Sequence, residues 1–415
     1  MNFTMMNTKY QSKYQSLIAS VAVLMASLVF SVSAAAEDSK PLKVFILAGQ
    51  SNMQGHANVS TFGPMRLDPK TAPILKAMRD ANGEPYVCEK VWISSIGSSE
   101  EERTGKLTVG FGAEARGPKI GPEFTFGIYA EKLLDEPILI IKTAWGGKSI
   151  NTDFRPPSAG PYEFNVTQLE NFKKQGKDLA AIKAAKAEAT GHYYRLMMEH
   201  VDKVLADIKR VYPDYDQKAG HELAGFVWFQ GWNDMVDRGT YPTRDQPGGY
   251  DLYTDLMTKF IRDVRKDLSA PELPFVIGVI GVGGPTELYG PEQQRYKGVH
   301  QHIRDAMAAP ATLPEFDGNV AAVLTENYWD QEVGALKLRE KPIKAEEKRL
   351  REEKKLGREE QKTAVEKLYA ETFTAEELEV LRDSISNAEY HYLGSARIMA
   401  QIGKGFAEAM AGMQP

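Results

Sequence analysis

The strongest constraint on the fold is a series of six short apolar runs, Lys43–Ala48, Val91–Ser94, Pro137–Thr143, Leu223–Phe229, Pro274–Gly281 and Asn319–Thr325. Each has the length of a strand, is rich in Val, Ile or Phe, and lacks strict apolar/polar alternation. A strand with one wet face alternates, whereas one covered on both faces does not. Between the runs, Tyr193–Val211 and Tyr250–Leu268 carry apolar residues at helical spacing, as in Leu256, Phe260, Val264 and Leu268. Strands alternating with helices predict an α/β domain, a three-layer sandwich around a mainly parallel, doubly wound sheet. In such sheets ligands sit beyond the carboxyl ends of the strands, so the residues just after each run are where chemistry is expected.

The N-terminus has a different character. Residues 1–36 carry Lys9 and Lys13 and no acid, then the apolar run Leu17–Val32, then Ser-Ala-Ala-Ala before Glu37. A basic start, an apolar stretch of ~15 residues and a small-residue exit predict a secretory signal peptide over residues 1–36, cleaved after Ala36. The stretch is short of the ~20 residues that span a bilayer. The expectation is a secreted or periplasmic protein with no stable membrane span after cleavage, and a single domain over residues 37–415. With one cysteine, Cys88, the chain forms no internal disulfide, and a net charge of −5 does not suit a nucleic-acid binder. Two insertions are expected, at about 153–191 and 336–372. The second interleaves Lys, Arg and Glu and reads as a solvated helix started by Pro342. Thr374-Ala-Glu-Glu377 has the form of a capping box.

Four segments can carry chemistry. Gly49-Gln50-Ser51-Asn52-Met53 directly follows the first run, placing the Ser51 hydroxyl at the sheet edge where a following helix offers N–H groups. Ser51 there is a candidate nucleophile or a helix cap. Lys142-Thr-Ala-Trp145-Gly146-Gly147-Lys148-Ser149 follows the third run, and its glycines leave backbone N–H groups uncovered. Gln230-Gly231-Trp232-Asn233-Asp234 ends the fourth run with amides suited to donate into a cleft. Among seven histidines, His391 in Glu389-Tyr390-His391-Tyr392 stands just before the last helical pattern. Gly147-Lys148-Ser149 lacks the first glycine of a P-loop, and Gly281-Val-Gly283-Gly284 is followed by Pro285 rather than a helix, so neither binds phosphate by the usual motif. No residue set has metal-ligand spacing.

In this order the segments resemble the SGNH hydrolase superfamily, specifically its sialate O-acetylesterase-like and acetylxylan-esterase branch, carbohydrate esterase family 6. The resemblance implies a flavodoxin-like SGNH sandwich and a serine esterase that needs no cofactor and no metal. By it, Ser51 is the nucleophile and His391 the base, Gly146 or Gly147 gives an oxyanion-hole N–H, and Gln230 or Asn233 the side-chain donor. The family's orienting Asp, three residues before the histidine, is replaced by Ala388, which makes Glu389 the candidate acid. Gln50, Trp145, Trp232 and Tyr390 are candidate substrate contacts. The implied partner is an acetylated carbohydrate, of acetylxylan or sialate type, with no nucleic acid. The alternative is a catalytically degenerate glycan-binding protein on the same fold.

Overall fold

The computed structural model describes residues 40–353 and 356–414, and the expected leader lies outside the described residues. From Pro41 onward the chain forms one compact unit. Its centre is a seven-stranded sheet: β1 Leu42–Gly49, β2 Val91–Gly97, β3 Arg103–Lys106, β4 Ile138–Ala144, β5 His221–Phe229, β6 Phe275–Val279 and β7 Val320–Leu324. The spatial order is β3-β2-β4-β1-β5-β6-β7. All neighbours are parallel except the edge pair β2–β3, as the unbroken apolar runs predict. After β1 the chain builds one half of the sheet and returns through β4 to β1's side, then builds the other half from β5. The crevice at the end of β1 is therefore the topological switch point.

The residues of β5 show why alternation is missing. Phe226 and Trp228 meet Phe260 of the Asp251–Asp267 helix on one face, while Phe229 meets Phe406 of the Ala396–Ala411 helix on the other. Both faces are buried, so both sets are apolar. The terminal helix buries Ile398, Ile402, Phe406 and Met410, four residues one turn apart, and packs beside the Pro122–Leu134 helix. Truncating Phe406 to Ala would cost about 3–5 kcal/mol.

In the first expected insertion, helices Val166–Lys174 and Leu179–Ala189 have no buried residue. The second differs from expectation at its start. Its first helix runs Gln331–Glu353 with Pro342 inside it rather than at its first turn. Asp330 accepts the N–H of Val333, and Val333, Leu336 and Ile343 are buried, so a cap and an apolar face outweigh the break at proline. A helix Arg358–Thr372 follows, and Thr374 and Glu377 then close a reciprocal capping box. Among the described residues, no helix is long and apolar enough to cross a membrane.

Candidate active site

β1 ends in Gly49, where a Cβ would lie 2.2 Å from the Phe229 carbonyl oxygen. Only glycine lets the two strand ends approach this closely. Ser51 then opens a four-residue helix, Ser51–Gln54, whose first N–H groups have no intrahelical acceptor. The far end of that helix is anchored from beneath. Lys142, wholly buried at the end of β4, donates to the Gln54 carbonyl (2.9 Å), the Phe111 carbonyl (3.0 Å) and Glu123 Oε2 (2.7 Å). All three ammonium protons are used, so the buried ion pair is satisfied, and removing either partner would cost about 3–5 kcal/mol.

Gly146 borders the Ser51 segment: a methyl placed on it would stand 4.0 Å from Ser51 Cβ. Its N–H donates to Ser98 Oγ at 3.0 Å, while Gly147 is exposed. The loop is tied to β1 by the Trp145 N–H on the Gly49 carbonyl (3.2 Å). It is tied to the next loop by Asp234, which accepts from the N–H groups of Ile150 (2.9 Å) and Asn151 (3.3 Å), from Gln230 Nε2 (2.6 Å) and from the Tyr241 hydroxyl (3.0 Å). Burial pushes the Asp234 carboxyl up to about 6 despite these donors.

Several expectations change here. Gln230 is wholly buried, and its Nε2 donates to the Lys148 carbonyl (3.0 Å) and to Asp234. Both amide protons are committed to the scaffold, so Gln230 is not free as an oxyanion donor. Asn233 is half-buried, and its side-chain amide makes no hydrogen bond among the described residues. Gln50 is buried and faces inward, its Oε1 accepting the N–H of Gly231 (3.1 Å) and of Asn233 (3.4 Å). Its Oε1 thereby joins two loops of the site, while its Nε2 meets no partner among the described residues. Trp145 is also buried, packed on Phe154 and Tyr193. Trp232 and Tyr390 instead lie side by side, ring centroids 5.8 Å apart, with Tyr390 exposed and edge-on to His391.

His391 is carried by a turn in which Tyr392, Leu393 and Gly394 are all left-handed, at φ of 52°, 61° and 57°. For the two non-glycine residues this costs on the order of 1–2 kcal/mol each. The buried Tyr392 hydroxyl holds the turn, accepting the Gly281 N–H (2.8 Å) and donating to Thr325 Oγ1 (2.7 Å). Thr325 gives its own proton to the Val279 carbonyl. The turn packs against the Ser51–Gln54 helix.

Glu389 does not orient His391: it is exposed and makes no hydrogen bond among the described residues. The partner on His391 Nδ1 is Asn387 Oδ1 at 3.0 Å. The other ring touching His391 is His56, stacked at 3.8 Å with the planes 2° apart. Sequence reasoning missed Asn387 and His56. The first was hidden by a search for an acid, the second by its place in a loop with no pattern of its own. Burial lowers His391 to about 4. His56 falls to about 3, chiefly through burial, then through the charges of His391, Lys119 and Lys142. Both rings are neutral near pH 7.

A family model described as carbohydrate esterase, sialic acid-specific acetylesterase, matches residues 41–314, which include Ser51, Gly146 and Asn233 but end before His391. No curated protein matches the chain. Among solved structures, an Arabidopsis thaliana protein is 18% identical over 69% of this chain and 86% of its own, with a TM-score of 0.35. A carbohydrate acetylesterase from Xanthomonas citri is 14% identical over 68% of this chain, which spans 49% of that protein's length, also with a TM-score of 0.35.

Proposed function

Because the chain belongs to this carbohydrate esterase family and is a carboxylic ester hydrolase, we propose that it removes acetyl groups from sugars or polysaccharides by Ser–His acyl transfer. The observation that carries the reading is the placement of Ser51 as first residue of a helix at the switch point of the sheet. Gly146 stands beside it, and the His391 turn is packed on the same helix.

In the proposed cycle, Ser51 Oγ attacks the acetyl carbonyl carbon while His391 Nε2 takes its proton. The carbonyl π pair moves onto oxygen, where the N–H groups of Ser51 and Gly146 and the amide of Asn233 receive it. The Gly146 N–H exchanges Ser98 Oγ for the oxyanion. Collapse breaks the ester C–O bond, the sugar hydroxyl leaves with the proton from His391, and Ser51 stays acetylated. Water deprotonated by His391 then attacks that carbonyl; collapse breaks the bond to Ser51 Oγ, which takes the proton back from His391, and acetate leaves. The Trp232–Tyr390 pair offers an aromatic wall for a sugar ring beside the base.

We place this activity outside the cytoplasm, on the leader at residues 1–36; a mature chain that does not begin at Glu37 would argue against it. The decisive test is acetate release from acetylated xylan and from O-acetylated sialic acid by the protein and by Ser51→Ala. Release that depends on Ser51 supports the reading, and equal background rates sink it. That no carboxylate among the described residues bonds to His391 favours one other reading, a glycan binder without turnover. Binding of acetylated sugar with no release would identify it.

A further inference from the structure

The side chain of Asn387 touches two imidazoles at once. Its Oδ1 lies 3.0 Å from His391 Nδ1, and its Nδ2 lies 3.4 Å from His56 Nδ1. A third contact settles which end of the amide is which: the Ala388 N–H reaches the Oδ1 atom at 2.8 Å. A backbone N–H only donates, so its partner must be the oxygen. An amide oxygen only accepts, so His391 carries its proton on Nδ1 and keeps the Nε2 lone pair. An amide NH2 only donates, so His56 has a bare Nδ1 and its proton on Nε2, where it meets no acceptor among the described residues. The two rings are stacked with parallel planes, 2° apart in tilt and 3.8 Å between centroids, so neither can tilt without the other.

We propose that Asn387 and His56 are a pair of positioning residues for His391, which fix its tautomer and its ring plane without supplying a negative charge. The proposal rests on the serine esterase reading of the site. An orienting carboxylate normally does two things: it selects the tautomer and it stabilises the imidazolium formed during catalysis. Here the Ala388 N–H enforces the first function through a neutral amide, and the second is absent. The charged and titratable groups around the pair agree. Tyr390 meets His391 edge-on, Glu389 points to solvent, and Lys119 and Lys142 act on His56 with positive charge. The Lys142 charge is itself paired with Glu123. No carboxylate among the described residues hydrogen-bonds to either ring. Such a base remains unprotonated in acid, where one paired with Asp would already be lost.

Two measurements on the intact protein test this. Nitrogen-15 spectra of the imidazoles at pH 7 should show His391 protonated at Nδ1 and His56 at Nε2. On 4-nitrophenyl acetate, Asn387→Asp should move the acidic limb of kcat/KM upward by about one to three pH units, since a carboxylate favours the imidazolium and the base is then lost at higher pH. KM should stay within about twofold, because the substituted group touches the base and not the substrate. His56→Phe keeps a flat ring but removes the acceptor for Asn387 Nδ2, and should lower kcat about threefold to tenfold at constant KM. An acidic limb unmoved by Asn387→Asp in an enzyme that still depends on Ser51 overturns the proposal. So does a His391 proton found on Nε2. If Ser51→Ala and the unsubstituted protein both run at background, the esterase reading fails, and the ring spectra alone decide the positioning roles.

Discussion

Ser94 on β2 touches a histidine, and Ser51 at the end of β1 opens a helix on which the His391 turn packs, in opposite surroundings. Ser94 Oγ is 2.9 Å from His200 Nε2 and donates to Glu102 Oε1 at 2.7 Å, so all three residue types of a hydrolytic triad are in contact. Yet the hydroxyl proton points to the carboxylate, leaving His200 as donor rather than base. Ser94 is buried in the middle of β2, and His200 is buried on the helix His192–Ala206 that packs beside it. Burial would raise Glu102, but Arg210, Lys203 and Ser94 outweigh it and hold its carboxyl at about 2. Among the described residues, no carboxylate hydrogen-bonds to the His391 ring beside the Ser51 helix. Ser51 has a strand end, a helix start with free N–H groups and an open amide. Chemistry needs a reachable atom and uncommitted donors more than it needs the right three side chains in a hydrogen-bonded row.

The comparison can be broken first at the serines. Ser51→Ala should lower acetate release by at least about 10³-fold with melting unchanged. Ser94→Ala should leave kcat within about twofold and instead cost about 1–3 kcal/mol, measured by urea unfolding, because His200 and Glu102 lose a buried partner. Equal losses of activity would erase the distinction. Next comes the open amide. Asn233→Ala should reduce kcat about 10²-fold with little change in KM, since that donor is proposed to act in the transition state. A loss confined to KM would move Asn233 to substrate binding.

A smaller effect lies in the pH profile. The base must be neutral, and burial lowers His391 to about 4, so kcat/KM should be nearly flat from pH 7 to pH 5 and fall only below about 4. Depression carries a stability cost of definite sign. Between the unfolded value near 6.5 and the folded value, the unfolded chain binds the proton, so the contributions of His391 and His200 to stability decline as pH falls through that window. Smallest of all, Glu389→Gln should change kcat by less than about twofold, since this exposed side chain reaches neither ring. A tenfold loss would restore it to the mechanism.

How much of this could be read from the sequence follows from which interactions are local. Six of the seven strands are legible because they carry unbroken apolar runs, whereas the edge strand β3, Arg-Thr-Gly-Lys, has no such run; Ser51 is legible because Gly49 and the strand before it are contiguous with it. The Thr374–Glu377 cap was equally visible, since its two hydrogen bonds close within one turn. Gln230 and Asn233 could not be told apart, because the distinction lies in Lys148 and Asp234, which decide whose protons are taken. Trp145 and Gln50 look like substrate contacts in sequence but point inward, a matter of side-chain direction beyond any strand end. Asn387 was passed over because the family pattern directs attention to a carboxylate. The Pro342 helix start failed because a proline rule is weaker than three buried apolar residues.

The left-handed turn at Tyr392–Gly394 has a consequence for when the molecule becomes an enzyme. Its anchors, Gly281 and Thr325, sit at the ends of the last two strands, and the histidine it presents precedes only the final helix. A chain that has not yet made its last segment has Ser51 but lacks the proposed base. If Ser51 and His391 react as proposed, reactivity needs the C-terminal segment closed over the sheet, and a chain truncated before that segment should keep its serine inert.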